Sequence, residues 1–238
     1  MRIDIVTLFP GFFHWPLSHS LLKRAEAEGK VKFYLHNPRD YTRDRHRTVD
    51  GKPFGGGAGM VIKPEPVFRC VEAIRPRGFV ILLTPRGRPL TQSLASRLAR
   101  KKHLVLIAGH YEGVDERISE KLADEEISVG DFVTMGGEAP ALCLIESVVR
   151  LIPGVLGNPE SLKEESFSSG RNGSGKQLEF PQYTRPRVFR KWEVPSVLLS
   201  GDHGKIRAWR EKEALRITHK RRPGLLKKVE KGKNHETD

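Results

Sequence analysis

Over the first 157 positions, short apolar runs alternate with segments of helical spacing. Ile3–Leu8, Val31–Leu35, Phe79–Leu83 (FVILL), Leu104–Ala108 (LVLIA) and Ile127–Val129 read as strands. The segments Leu17–Glu28, Pro64–Ile74, Thr91–Lys101, Asp115–Ala123 and Ala139–Leu151 carry helical periodicity, and Pro64 supplies the φ that a first helical turn needs. This alternation predicts an α/β fold with a mainly parallel sheet. Ligands of such sheets sit beyond the carboxyl ends of the strands, so the loops after Leu83, Ala108 and Val129 are the places to look. Asp4 interrupts the apolar start MRIDIVTLFP, which therefore reads as a first strand and not as a leader. None of the apolar runs approaches the ~18 residues of a membrane helix.

Two segments depart from the alternation. Asn37–Gly59 has no apolar periodicity; it carries dense charge (RDYTRDRHR) and then four glycines in the five positions Gly55–Gly59. A loop of this length in a compact domain is usually functional or disordered. Pro159–Lys176 (PESLKEESFSSGRNGSGK) is polar and rich in glycine and serine, the composition of a flexible linker. The chain thus divides into a domain over 1–158, a linker over 159–176 and a small helical domain over 177–238. The likeness of Gly170–Gln177 (GRNGSGKQ) to a phosphate-binding loop fails, because Gln177 replaces the Ser/Thr that holds magnesium and no strand precedes it.

Charge sharpens this division. The 238 residues carry 42 Lys+Arg against 29 Asp+Glu, a formal +13, compatible with nucleic acid, an acidic membrane surface or no special partner. Gln177–Asp238 holds 16 of the basic residues against 8 acids, so more than half of the excess lies in about a quarter of the chain. A helix over His203–Thr218 would place Ile206, Trp209, Leu215 and Ile217 among these charges. Cys70 and Cys143, 73 positions apart and without a CxxC partner, suggest two small buried residues in a reducing cytoplasm.

HExxH, GxSxG and a strand-linked GxGxxG are absent, which disfavours zincins, α/β hydrolases and ordinary dinucleotide-binding dehydrogenases. The three strand-end loops, TPRGRPLTQ, GHYEGVDER and GDFVTMGGEAPA, each begin with small or turn residues that let backbone approach a ligand. Three in series are better explained by one small-molecule site than by unrelated turns.

Taken in order, RDYTRDRHRTVD (39–50), GGGAGM (55–60), GHYEGVDER (109–117), SVGDFVTMGGEAP (128–140), RLIPGVLG (150–157), PQYTRP (181–186) and VPSVLLSGDHGKIRAW (194–209) resemble the bacterial tRNA (guanine-N1)-methyltransferase family from Met1 to about Leu226. The resemblance implies a SPOUT-type sheet with a C-terminal trefoil knot, which general rules of chain topology disfavour. It also implies homodimers with active sites at the dimer interface, S-adenosyl-L-methionine as methyl donor, and Mg²⁺ with Glu112 as candidate ligand. The substrate implied is the tRNA anticodon stem-loop, methylated at N1 of the guanine immediately 3′ of the anticodon (position 37).

By matching positions, the donor would contact Leu83, Thr84, Pro85, Gly109, Tyr111, Glu112, Gly113, Val129, Gly130, Asp131, Phe132, Val133, Thr134, Gly136, Gly137 and Pro140. Arg150 corresponds to the family's catalytic arginine. Where the family carries an aspartate before Ser-Phe, this chain has Glu165, with Glu164 as the minor alternative. N1 of guanine carries a proton and is a poor nucleophile, so its methylation wants a base (Glu165) and a cation near O6 (Arg150). A stacked base must be taken out of RNA to react, so gripping regions are expected. These are Arg43, Arg45, His46, Arg47 and Asp50 in the long loop, and Arg185, His203, Arg207 and Arg210 in the basic domain. The competing readings are a SPOUT enzyme for another RNA atom, such as a ribose 2′-oxygen, and a non-catalytic RNA-binding homologue.

Overall fold

A computed structural model describes residues 1–158, 161–167 and 176–226. The chain forms two compact units, Met1–Gly157 and Asn158–Asp238. The linker residues 168–175, with most of the phosphate-loop-like run, and the tail 227–238 lie outside the described residues.

The first unit runs β1 (Arg2–Val6), α1 (Gly11–Leu17), α2 (Ser20–Ala27), β2 (Lys32–His36), β3 (Asp50–Gly51), β4 (Val61–Ile62), α3 (Pro64–Ala73), β5 (Phe79–Pro89), α4 (Gln92–Leu98), β6 (His103–Ala108), α5 (Glu116–Lys121), β7 (Glu125–Ser128) and α6 (Glu138–Val149). The main sheet has the order β2-β1-β6-β5-β7, with every pairing parallel. Side chains alternate between two cores. Ile3, Ile5, Ile81, Leu83, Leu104, Leu106 and Ile127 face one layer with Phe13, Leu22, Leu94 and Leu144. Val6, Val80, Leu82, Val105 and Ile107 face the other with Val67, Val71 and Ile118. The period of two along each strand thus decides which helices cover which face.

Several expectations change. The helix expected from Leu17 begins at Ser20; the preceding stretch GFFHWPL forms the separate α1, with Pro16 inside it. The strand expected to stop at Leu83 continues to Pro89, and Arg88 and Pro89 pair with Ile127 and Ser128. Gly87 makes that passage possible, because a Cβ there would lie 2.4 Å from the Ile127 amide nitrogen. The Asn37–Gly59 loop is partly ordered. A short 3₁₀ turn at Pro38–Tyr41 packs on α3, β3 pairs antiparallel with β4, and Val49 is fully buried. Cys70 is buried as expected, and burial pushes its thiol up to about 12; Cys143 is exposed, against expectation.

Asp4 is fully buried on β1. It accepts hydrogen bonds from His36 Nε2 (2.6 Å), His103 Nε2 (2.7 Å) and Arg2 Nε and Nη2 (2.6 and 2.8 Å). Burial alone would raise its pKa, but these donors outweigh it and hold the carboxyl at about 2.

The second unit contains α7 (Ser161–Glu164), the hairpin β8 (Val188–Phe189) and β9 (Trp192–Glu193), and α8 (His203–Arg221). Asp202 caps α8 by accepting from the Gly204 and Lys205 amides, both at 3.0 Å. Ala214 and Thr218 are the buried positions of α8, and Leu215 is exposed. The linker contains structure its composition does not predict. Phe167 N donates to Gln177 O at 2.8 Å, Glu179 N to Ser166 Oγ at 3.0 Å, and Leu178 N to Thr218 Oγ1 at 2.9 Å.

Candidate functional site

Parallel order brings the carboxyl ends of β5, β6 and β7 side by side, so the three loops singled out in sequence meet around one cavity of about 460 Å³. All the expected donor residues line it except Gly130 and Asp131. Asp131 is exposed; Gly130 instead leaves room for the Phe132 ring, which a Cβ there would approach to 2.5 Å.

The walls are held by their own main chain. Gly137 N donates to Gly109 O at 2.6 Å, Thr134 Oγ1 to Gly136 O at 2.8 Å, and Ser128 Oγ to Gly130 O at 2.9 Å. Tyr111 and Gly113 take left-handed φ of 60° and 115°, closing a tight turn in which Gly113 N reaches His110 O at 3.1 Å. The glycine-rich segment supports that turn from outside. Glu112 N donates to Met60 O at 3.0 Å, and a Cβ on Gly59 would strike the Glu112 side chain at 2.4 Å.

Other lining residues lie in the same three loops, beyond the expected donor contacts: Arg86 and Glu116, joined at 2.6 Å, His110, and the exposed Met135. Glu112 and the Arg86–Glu116 pair line the same cavity, so its carboxylates outnumber its guanidinium, a balance that suits a cationic ligand.

Arg150 ends α6 with helical φ and ψ of −60° and −19° and is half-buried in the first unit. Glu165 follows α7 in the second unit, directly before the pinned Ser166-Phe167. Its neighbour Glu164 pairs with Arg210 at 3.6 Å.

The expected RNA-gripping residues divide. Arg43, Arg45 and His46 are exposed, as are Arg185, His203 and Arg207. Asp50 is half-buried in β3. Arg47 is also exposed but is engaged within its loop, pairing with Asp40 and donating to Arg39 O at 3.2 Å. Arg210 lies over the Phe180 ring at 4.6 Å and binds Glu164, so it works as an internal tie of the second unit.

The sequence model of the family described as tRNA (Guanine-1)-methyltransferase TrmD matches residues 1–228. The chain belongs to this tRNA (guanine-1)-methyltransferase family. A Gloeobacter violaceus protein named tRNA (guanine-N(1)-)-methyltransferase is 58% identical over 230 residues, covering 95% of this chain and 98% of that protein. Proteins of the same name from Geobacillus kaustophilus and Brevibacillus brevis are each 54% identical, covering 95% and 96% of this chain and 91% and 93% of their own lengths. Both units therefore belong to the family framework.

A methyltransferase of this family implies S-adenosylmethionine as donor, and the residues present fit it. The cavity has the volume of a small-molecule site, and its lining combines apolar side chains such as Leu83, Val129 and Phe132 with the acids Glu112 and Glu116. Among the described residues no group of three His, Cys, Asp or Glu side chains gathers to hold a metal, so the Mg²⁺ expectation gains no support from the fold. No helix of the described residues is long and apolar enough to cross a membrane.

Proposed function

We propose that this chain transfers a methyl group from S-adenosylmethionine to N1 of the guanine immediately 3′ of the tRNA anticodon. The observation that carries the proposal is the convergence of three strand-end loops on one cavity, in a chain matched along nearly its whole length by tRNA (guanine-N1)-methyltransferases. The donor, when bound, supplies a methyl on a sulfonium and its own leaving group. The chain then has three tasks. The loops after β5, β6 and β7 fix the line of displacement. Glu165 accepts the N1 proton, and the ties of Ser166 and Phe167 to Glu179 and Gln177 limit where its carboxylate can go. Arg150 faces O6, where negative charge develops as the proton leaves.

RNA is gripped by Arg43, Arg45 and His46 of the long loop and by Arg185, His203 and Arg207 of the basic unit. Exposed aromatic surface on α1 supports a homodimer with the active sites at its interface: Phe12 is 48% and Trp15 70% exposed. The SPOUT knot is part of the same reading and rests on the family resemblance alone. Nuclease digestion and mass spectrometry of methylated tRNA test the proposal. 1-Methylguanosine is expected; a ribose-methylated product contradicts it.

A further inference from the structure

One wall of the cavity holds a polar chain for which the proposed reaction has no use. The Phe9 amide donates to Thr7 Oγ1 at 3.0 Å, and the Thr7 hydroxyl donates to Glu138 Oε1 at 2.8 Å. Glu138 is 5% exposed in the first turn of α6, where the helix dipole favours its charge. Its other oxygen, Oε2, stands 3.5 Å from His110 Nδ1. That nitrogen is buried and has no hydrogen-bond partner among the described residues, while the imidazole lines the cavity. Phe9 and Tyr111 pack on the ring at centroid distances of 4.6 and 5.0 Å. Gly136 leaves the two groups free to meet, since a Cβ there would lie 2.3 Å from Oε2 and 2.4 Å from Nδ1.

Polarity along this chain runs one way. The Phe9 amide can only donate, so the Thr7 hydroxyl receives that bond and sends its own proton to Glu138. The carboxylate can only accept, so the favoured place for the imidazole proton is Nδ1, which leaves Nε2 as an acceptor. We propose that Glu138 is a positioning residue that fixes His110 as the Nδ1–H tautomer, and that His110 Nε2 accepts a hydrogen bond from an N–H or O–H of the bound methyl donor. The inference rests on the donor-pocket reading above. In Glu138→Gln the Thr7 hydroxyl still requires an acceptor and draws the carboxamide oxygen, which turns the NH₂ toward His110 Nδ1. The imidazole proton then moves to Nε2, and two donors face each other in the pocket.

Two-bond ¹H–¹⁵N correlation spectra of the full-length protein labelled with ¹⁵N-histidine, at about pH 8 where histidine is ordinarily neutral, read the tautomer directly. The wild type is expected to carry the proton on Nδ1, and Glu138→Gln on Nε2. Calorimetric titration is expected to show Glu138→Gln binding both S-adenosylmethionine and S-adenosylhomocysteine about tenfold more weakly, the effect of one lost hydrogen bond. Gly136→Ala, which wedges the pair apart without changing a charge, is expected to weaken both ligands similarly. A wild-type His110 protonated on Nε2 overturns the proposal whether or not the variants fold. So does a folded Glu138→Gln protein that keeps the wild-type tautomer or affinity. A wild-type protein that binds neither ligand instead removes the donor-pocket reading, and this inference with it.

Discussion

Gly137 lines the strand-end cavity at the start of α6, and replacing it by alanine adds one methyl group against the end of β6. Its φ and ψ of −78° and −3° suit any residue, so the substitution brings no backbone strain of its own. The methyl carbon would lie 2.7 Å from Ala108 Cα, 2.8 Å from Gly109 N and 3.0 Å from the Ala108 carbonyl carbon. All three atoms are main chain where β6 ends and its loop begins, so no side chain can rotate away. Ordinary carbon contacts need ~3.5–4.0 Å, so the loop must retreat by roughly 1 Å. The 2.6 Å bond from Gly137 N to Gly109 O joins the same two segments and would be stretched or lost. Overpacking of this kind costs about 1–3 kcal/mol, and a misplacement of ~1 Å at a reacting site can cost on the order of 10²-fold in rate. Gly137→Ala is therefore expected to weaken S-adenosylmethionine binding at least tenfold by calorimetry and to lower the melting temperature by several degrees. Gly224→Ala, with nothing within 4 Å of its added methyl, serves as the control. A Gly137→Ala protein that binds the donor within twofold of wild type refutes the claim that this contact shapes the pocket.

Three further expectations follow from other parts of the molecule. Asp4→Asn removes the carboxylate that holds Arg2, His36 and His103; the fall of its pKa from 3.8 to about 2 corresponds to about 2.5 kcal/mol. Because the folded-state value is the lower one, that stabilisation is complete above about pH 4 and is lost as pH falls toward 2. Denaturant unfolding should show the wild-type advantage at neutral pH and its disappearance near pH 2; an equal gap at both contradicts the assignment. Glu165→Gln should cut methyl transfer strongly with donor affinity nearly unchanged, whereas Glu164→Gln, which weakens the tie to Arg210, should reduce single-turnover transfer little; equal effects sink the choice of base. A chain ending at Gly157, the limit of the first compact unit, should bind S-adenosylmethionine by calorimetry but fail to methylate tRNA; loss of donor binding would make the two units inseparable.

The strand-end loops were legible because each follows an apolar run, and parallel sheets gather such loops at one edge whatever their sequence separation. That is why most of the expected donor residues line the cavity. The glycines at 136 and 137 were legible as small residues, but not the reason for them, since the atoms they make room for belong to His110, Glu138 and Ala108. Glu138 reads in sequence as an ordinary acid at a helix start. Only tertiary structure buries it and brings Thr7, 131 positions away, to its side chain. α1 was missed because its GFFHWPL is apolar on several faces and contains Pro16, which hides a helical period. β3 and β4, two residues each, are too short to leave a pattern. Arg47 and Arg210 are expected RNA contacts, and the structure adds that each pairs with a carboxylate in its own unit. Charge does not reveal whether a guanidinium is already held by Asp40 or Glu164.

The central claim is that the strand-end cavity serves methylation of one guanine. It is tested most directly by transfer of labelled methyl from S-adenosylmethionine to two tRNA transcripts that differ only in the nucleotide immediately 3′ of the anticodon. Label should enter the guanine transcript as 1-methylguanosine and stay at background in the adenine transcript. Equal labelling of both, or none in either with a folded, donor-binding protein, would contradict it.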